Sequence, residues 1–327
     1  MNNRLTLAAA LVIATGAASA DTPELVVYTY DSFAAEWGPG PAIKASFEAE
    51  CACTLTFVPA GDGAEVLSRL RLEGARSDAD VVVGLDSSLI PQANDAGLFA
   101  PHGQDMAGLT LPISWDDATY LPFDWGYFAF VYDKTRLANP PASLEELARG
   151  DVSVIIQDPR SSTPGLGLVL WAKAVFGDEA HQFWDAFADQ IVTVTPGWSE
   201  AYGLFLEGEA EMVLSYTTSP AYHIIAEGDD TKAAARFAEG HYMQIELAAQ
   251  LAGSDQPALA AAFLAHLISP AVQDIIPTSN WMYPAAQSAA LPDGFAAAPD
   301  EALLMPTDWV AANRDLAIDE WLAALAR

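Results

Sequence analysis

Three β-branched runs, each followed by a helix-forming stretch, constrain this chain more than any other feature. Residues 25–30, 54–58 and 80–85 read as strands, rich in the Val, Thr and aromatic side chains that fit a pleated surface. Behind the first, a helix starts at Asp31-Ser32, breaks at Gly38-Pro39-Gly40-Pro41 and resumes over 42–50, with Ile43 and Phe47 four apart. Behind the second, Asp62 and Glu65 form a capping-box pattern. The helix they open carries Val66, Leu67, Leu70 and Leu72 and stops at Gly74. The third strand leads into a helix over 87–96, stopped by Gly97. This alternation predicts βαβ units and a largely parallel sheet.

Around residues 111–120 the rhythm breaks, and 122–132 is one long aromatic strand, predicted to cross between two lobes. A capped helix (143–148) and a strand (152–157) follow, then Asp158-Pro159-Arg160-Ser161-Ser162-Thr163-Pro164-Gly165 and an apolar helix over 166–176. Pro164 suits the first helical turn and Thr163 the cap before it. In 195–223 a turn presents Trp198, a short helix ends at Gly208, strand 212–216 runs into a hydroxyl loop, and Pro220 opens a helix. A returning strand (241–251), a helix (256–268) and an aromatic loop (280–284) precede the tail, 307–327. That tail reads as an amphipathic helix with Val310, Leu316, Ile318, Trp321, Leu322 and Leu325 on its apolar side. With no internal repeat or low-complexity linker, two interwoven lobes are expected. Residues 21–118 with about 242–288 form lobe I, and about 119–241 with about 289–327 form lobe II.

The first residues bear on compartment. A basic start, an apolar run over 5–14 and Ala18-Ser19-Ala20 before Asp21 predict a secretory signal peptide over 1–20. Asp21 stands where a lipid anchor would need Cys. With 14 Lys+Arg against 44 Asp+Glu, the net charge of −30 argues against nucleic acid and anionic membranes. It draws cationic solutes, and equally it keeps a protein soluble in a salty medium. Export permits a disulfide between Cys51 and Cys53. The residues leave that pairing or two free thiols open, and no third ligand for a metal lies nearby.

Catalytic signatures are missing. The five histidines are scattered, and the chain has no H-E-x-x-H, G-x-S-x-G, P-loop or G-x-G-x-x-G motif. No catalytic residue, metal or cofactor is expected. Binding signals are better, because ligands of parallel α/β sheets sit beyond the carboxyl ends of strands. Four such ends are polar or aromatic: Tyr30-Asp31, Asp62-Gly63, Ser161-Ser162-Thr163 and Tyr216-Thr217-Thr218-Ser219. Helix N-termini there suit a phosphate or carboxylate. Trp37, Trp198, Tyr222 and Trp281 lie near these ends or in loops, and aromatic faces attract a cationic ring. Each residue has a structural alternative. Asp62, Thr163 and Ser219 suit helix caps, Tyr30 and Tyr216 suit half-buried strand ends, and Trp281 suits packing of the crossover. Trp125, Tyr127 and Phe128 read as hinge packing.

Taken together, these segments resemble the periplasmic thiamine-binding proteins of ABC importers. The resemblance is carried by Tyr28-Thr29-Tyr30-Asp31-Ser32-Phe33 with Trp37-Gly38-Pro39-Gly40-Pro41, by 79–86, 157–167 and 197–205, by Ser215-Tyr216-Thr217-Thr218-Ser219-Pro220-Ala221-Tyr222-His223, and by Asn280-Trp281-Met282-Tyr283-Pro284. It thins around 225–237 and 285–305. It implies a type II periplasmic binding fold, two α/β lobes joined by crossover strands and closing on thiamine or its mono- and diphosphate. It also implies a monomeric, non-catalytic periplasmic receptor that docks on permease subunits. Matched residue by residue, it assigns ligand contacts to Asp62, Gly63, Ser162, Thr163, Trp198, Tyr216, Thr217, Thr218 and Ser219, with Tyr30, Trp37, Tyr222 and Trp281 as further pocket residues. The alternatives are a receptor for iron(III) or a polyamine, and a secreted hydrolase of phosphorylated metabolites. Iron-binding relatives place a second tyrosine beside the position of Tyr216, where this chain has Ser215 and Thr217.

Overall fold

The alternation read from the sequence builds the first half of one continuous sheet. The computed structural model describes residues 22–286, 290–299 and 302–326; the predicted signal peptide lies outside them. Strands β1 (Glu24–Thr29), β2 (Thr54–Pro59) and β3 (Val81–Asp86) pair in parallel in the order β2-β1-β3. Helices α1 (Gly40–Cys51) and α2 (Gly63–Glu73) connect them. Leu25, Val27, Phe33, Ile43, Phe47, Leu55, Val81 and Val83 form the core beneath. Phe33 meets Tyr30, Phe57 and Phe123 edge-on, the arrangement favoured by ring quadrupoles.

Two long strands carry the sheet onward. Strand β4 (Leu121–Asp133) contains the predicted crossover, β5 (Val154–Gln157), β6 (Ile191–Thr195) and β7 (Met212–Tyr216) make the second half, and β8 (His241–Leu251) returns. The full order is β2-β1-β3-β8-β4-β7-β5-β6. Strand β8 runs antiparallel to both β3 and β4, and β4 pairs with β7 from Phe128 to Tyr132. The two halves are thus joined through the middle of β4 and β8. The second half is covered by α3 (Thr163–Phe176), α4 (Trp198–Glu207) and the tail helix, while α5 (Pro257–Leu267) packs against β8 and α1. The tail helix, α6 (Thr307–Leu325), packs on α3. No single helix among the described residues is long and apolar enough to cross a membrane.

Several local expectations change. Helix α1 runs to Cys51 itself, Ala52 takes a left-handed φ of 51°, and a disulfide joins Cys51 to Cys53. Leu72 and Leu316 are 83% and 60% exposed. Helix α2 buries Val66, Leu67 and Leu70, and at about 100° per residue Leu72 falls on the far side. Helix α6 buries Val310, Ala317, Ile318, Trp321 and Ala324, a stripe that leaves Leu316 outside. Trp198 starts α4 rather than sitting in a turn, and Pro220 opens one turn that widens into a π-helix over His223–Glu227.

Candidate functional site

A cavity of about 300 Å³ lies between the two halves, at the carboxyl ends of β1, β3 and β7. The first half contributes Tyr30, Trp37, Asp62, Gly63 and Asp86; the second contributes Thr163, Trp198, Tyr202, Tyr216, Ser219 and Tyr222. Gln244 and Glu246 from β8, with Asn280, Trp281 and Met282, complete the wall. The rings form two groups. Trp198 stacks on Tyr202 with centroids 5.1 Å apart and faces Trp37 at 6.4 Å, while Tyr222 meets Trp281 edge-on at 5.4 Å. Trp281 holds a left-handed φ of 58°, rare for a bulky side chain and costly in backbone strain.

Carboxylates of the first half bond to helix starts of the second. Asp62 accepts from Ser162 Oγ at 2.6 Å and from the Trp198 N–H at 3.1 Å, so it sits at the N-terminus of α4. Asp86 accepts from Thr163 Oγ1 at 2.9 Å, at the N-terminus of α3, and from the Ser88 N–H at 2.7 Å. Both positions place negative charge where a helix carries partial positive charge. Burial pushes the Asp62 carboxyl up to about 6, against the hydrogen bonds from Ser162 and Trp198. Burial also raises Asp86, which the bonds from Ser88 and Thr163 oppose.

The expected capping roles do not form. Asp62 is the N-cap of α2, but its carboxylate is turned across the cleft and caps nothing there. Ser162, not Thr163, is the N-cap of α3 and makes no side-chain cap bond. Ser219 shares a 2.7 Å hydrogen bond with Ser215, whose Oγ accepts from Trp198 Nε1 at 2.7 Å. These hydroxyls therefore anchor the Trp198 ring.

Of the thirteen residues expected at a site, Tyr30, Trp37, Asp62, Gly63, Thr163, Trp198, Tyr216, Ser219, Tyr222 and Trp281 border the cavity. Ser162, Thr217 and Thr218 do not. Ser162 is fully buried and reaches the cavity only through Asp62. The Thr217 N–H bonds to the Tyr127 carbonyl at 2.9 Å and its residue borders a different cavity, while Thr218 is buried with its hydroxyl 4.0 Å from Met282 Sδ. The turn after β7 turns those two side chains away from Tyr216 and Ser219. Trp125 stacks on Tyr283, 4.5 Å between centroids, as crossover packing.

Sequence reasoning missed the polar floor. Glu246 lies opposite Asp124 in the β8–β4 ladder. Asn280 Nδ2 donates to Asp124 Oδ2 at 2.6 Å, and the Tyr30 hydroxyl donates to Asn280 Oδ1 at 3.1 Å. Burial raises both carboxyls well above the usual range. The available signal was Gln244 and Glu246 alternating in a stretch otherwise apolar from Tyr242 to Ala249, and Asp86 closing another strand. No Lys or Arg is among the described residues that border the cavity. His223, Glu227 and Asp229 bring ligand-type atoms within 4.8 Å of one another. Both His223 ring nitrogens are engaged, with Tyr202 at 2.9 Å and Glu227 at 2.7 Å, so the group braces the ring beneath Trp198.

An acidic, aromatic cleft between two lobes is the arrangement of a solute receptor, and comparison with known proteins agrees. A family model of bacterial extracellular solute-binding proteins matches residues 28–274. The chain is 55% identical over 309 residues to the thiamine-binding periplasmic protein of Escherichia coli (strain K12), covering 93% of this chain and 94% of that one. It is 50% identical over 328 residues to the thiamine-binding periplasmic protein of Brucella abortus biovar 1 (strain 9-941), covering 99% and 98%. A solved periplasmic thiamin binding protein is similar in structure, with a TM-score of 0.92 at 55% identity over 94% of this chain and 97% of that one. An iron-bound protein from Pseudomonas aeruginosa shares the fold alone, with a TM-score of 0.77 at 19% identity over 92% and 99%. The chain therefore belongs to the bacterial extracellular solute-binding proteins of type II fold, and among them to the family of periplasmic thiamine-binding proteins.

Proposed function

We propose that this protein captures thiamine in the cleft between its lobes and delivers it to the permease of an ABC importer, without chemical change to the ligand. The observation that carries the reading is the cavity wall, which combines the Trp198, Tyr202, Tyr222 and Trp281 rings with Asp62, Asp86 and Glu246 and, among the described residues, no basic side chain. A thiazolium is a flat cation, and each aromatic contact with it stabilises by about 0.5–2 kcal/mol. The names of the relatives point to the same ligand.

The lobes are taken as 21–118 with about 242–288 and about 119–241 with about 289–327. Packing of α6 against α3 and of α5 against α1 supports that division. Closure is a hinge motion about β4 and β8, with Asp62 and Asp86 meeting Ser162, Trp198 and Thr163 across the cleft. Asp62, Gly63, Thr163, Trp198, Tyr216, Ser219, Tyr30, Trp37, Tyr222 and Trp281 touch the ligand, while Ser162, Thr217 and Thr218 position those that do. Thiamine mono- and diphosphate enter the same site, their anionic arm replacing Asp62 at the α4 N-terminus. The receptor works as a monomer.

Calorimetry on the purified protein tests this: 1:1 binding of thiamine with no product formed is expected. Absence of heat with thiamine and both esters would overturn the reading. Trp198→Ala is expected to weaken thiamine binding by more than ~1 kcal/mol through loss of the ring. Unchanged affinity in that variant would make Trp198 a packing residue only.

A further inference from the structure

We propose that Glu227 and His223, neither of which borders the cavity, act as a positioning pair that sets the Trp198 ring in the ligand wall through the Tyr202 hydroxyl. This rests on the thiamine reading and extends the site to an exposed carboxylate outside the cavity. Trp198 and Tyr202 are four apart on α4, so they share a face, and both border the cavity. Their rings stack with centroids 5.1 Å apart and planes 27° from parallel. Ser215 holds Trp198 at Nε1. One bond at the edge of an indole does not fix its tilt; the ring packed on its face does.

Tyr202 is in turn fixed by His223. The His223 ring is 1% exposed and lies nearly parallel to the Tyr202 ring, with centroids 5.9 Å apart and planes at 18°. Its Nε2 shares a 2.9 Å hydrogen bond with the Tyr202 hydroxyl, and its Nδ1 a 2.7 Å bond with Glu227 Oε2. An ionised carboxylate can only accept, and the bond from His223 holds Glu227 below the usual carboxylate range. Nδ1 therefore carries the hydrogen, and in the neutral ring Nε2 is left as the acceptor of the Tyr202 O–H. Glu227 thus selects the tautomer and, with it, the direction of the Tyr202 hydroxyl. The pair spans one π-helical turn, His223–Glu227, a feature met often at functional sites. Because Glu227 is exposed, its removal takes little packing with it. Glu227 also faces the Tyr222 hydroxyl, and Tyr222 meets Trp281, a second route that bypasses Tyr202.

The test is calorimetry with thiamine, together with near-ultraviolet circular dichroism of the ligand-free protein. Both are run on the unaltered chain, Glu227→Ala, Glu227→Gln and Tyr202→Phe, and on the two Glu227 variants in a Trp198→Ala background. Glu227→Ala and Tyr202→Phe should each weaken binding about threefold or more. Glu227→Gln keeps an acceptor for Nδ1–H and should bind within about twofold of the unaltered protein. In the Trp198→Ala background the Glu227→Ala loss should vanish, because no ring is left to position. The tryptophan band of the ligand-free protein should change in Glu227→Ala, return in Glu227→Gln, and ignore Glu227 once Trp198 is gone. Unchanged affinity in Glu227→Ala would overturn the proposal whatever the band does. A loss that persists in full without Trp198 would route the effect through Tyr222 and overturn it too. Equal losses in Glu227→Gln and Glu227→Ala would make Glu227 a matter of charge alone, with the same consequence. Should Trp198→Ala bind too weakly to measure, the dichroism cycle decides by itself. If the unaltered protein binds no thiamine, the receptor reading fails, whereas the dichroism cycle still decides whether Glu227 positions Trp198.

Discussion

Gly84→Ala is expected to lower both the melting midpoint and the affinity for thiamine. Gly84 sits in β3 with a φ of +101°, and a Cβ built there would lie 2.1 Å from Tyr30 Cδ1. Two costs therefore add. A non-glycine residue outside the usual backbone regions costs about 1–3 kcal/mol, and overpacking a filled site costs about 1–3 kcal/mol more. For a chain of this size, 1 kcal/mol moves the midpoint by roughly 1.5–2 °C. The functional loss has its own route. Tyr30 is held by Asn280, and Asn280 by Asp124, so a displaced ring disturbs the floor of the cavity. Gly74→Ala is the control, because that glycine also has positive φ (+57°) but a Cβ there meets nothing within 4 Å. Equal effects of the two substitutions in thermal melts and calorimetry would show that the Tyr30 contact carries no weight.

The second large effect is on pH dependence. The ligand-free protein is expected to be more stable near pH 5 than near pH 7.5, unlike most proteins with many carboxylates. Asp62 is raised by burial from 3.8 to about 6, and Asp124 and Glu246 are raised further in the same direction. A folded-state value above the unfolded one means that the folded chain binds more protons between the two. Stability is then full below the unfolded value and is lost as pH rises through the folded one. At about 1.4 kcal/mol per unit, Asp62 alone loses about 1.5 kcal/mol between pH 5 and 7.5, and the Asp124–Glu246 pair loses more. The carboxylates Asp133, Glu227 and Asp229, lowered by hydrogen bonds and ion pairs, act in the opposite direction, with their change mostly below pH 5; His241 and His266, lowered by burial, oppose the trend within this window and reduce its size. Asp124→Asn should flatten the trend and raise the midpoint at pH 7.5. An asparagine there can accept from Asn280 and donate to Glu246 without titrating. Thermal melts across pH 5–8 decide it, and a midpoint that rises steadily with pH would contradict the assignment.

What was legible in the sequence was legible because it is local or repeated. The strand–helix alternation over 25–96, the aromatic strand that becomes β4, and the amphipathic tail all follow from periodicities within a few turns of chain. So did the rings of Trp37, Trp198, Tyr222 and Trp281, because large aromatics beside turns lack a core to enter. The same local reasoning left Asp62 and Thr163 undecided between capping a helix and facing the cleft. A cap and a cross-cleft acceptor look identical over four residues, and the choice was made by Ser162 and Trp198, 100 and 136 positions away.

By itself, then, the sequence determined the α/β class, two lobes with crossover strands, and a cleft of rings and hydroxyls at the strand ends. Only the tertiary structure decided which carboxyls face that cleft and in what state. Glu246, Asp124 and Asp86 are ordinary acids along the chain. Packing β8 between β3 and β4 removes them from water and sets two of them opposite each other, and it is that burial, a property of the assembled sheet rather than of any segment, that raises their pKa values.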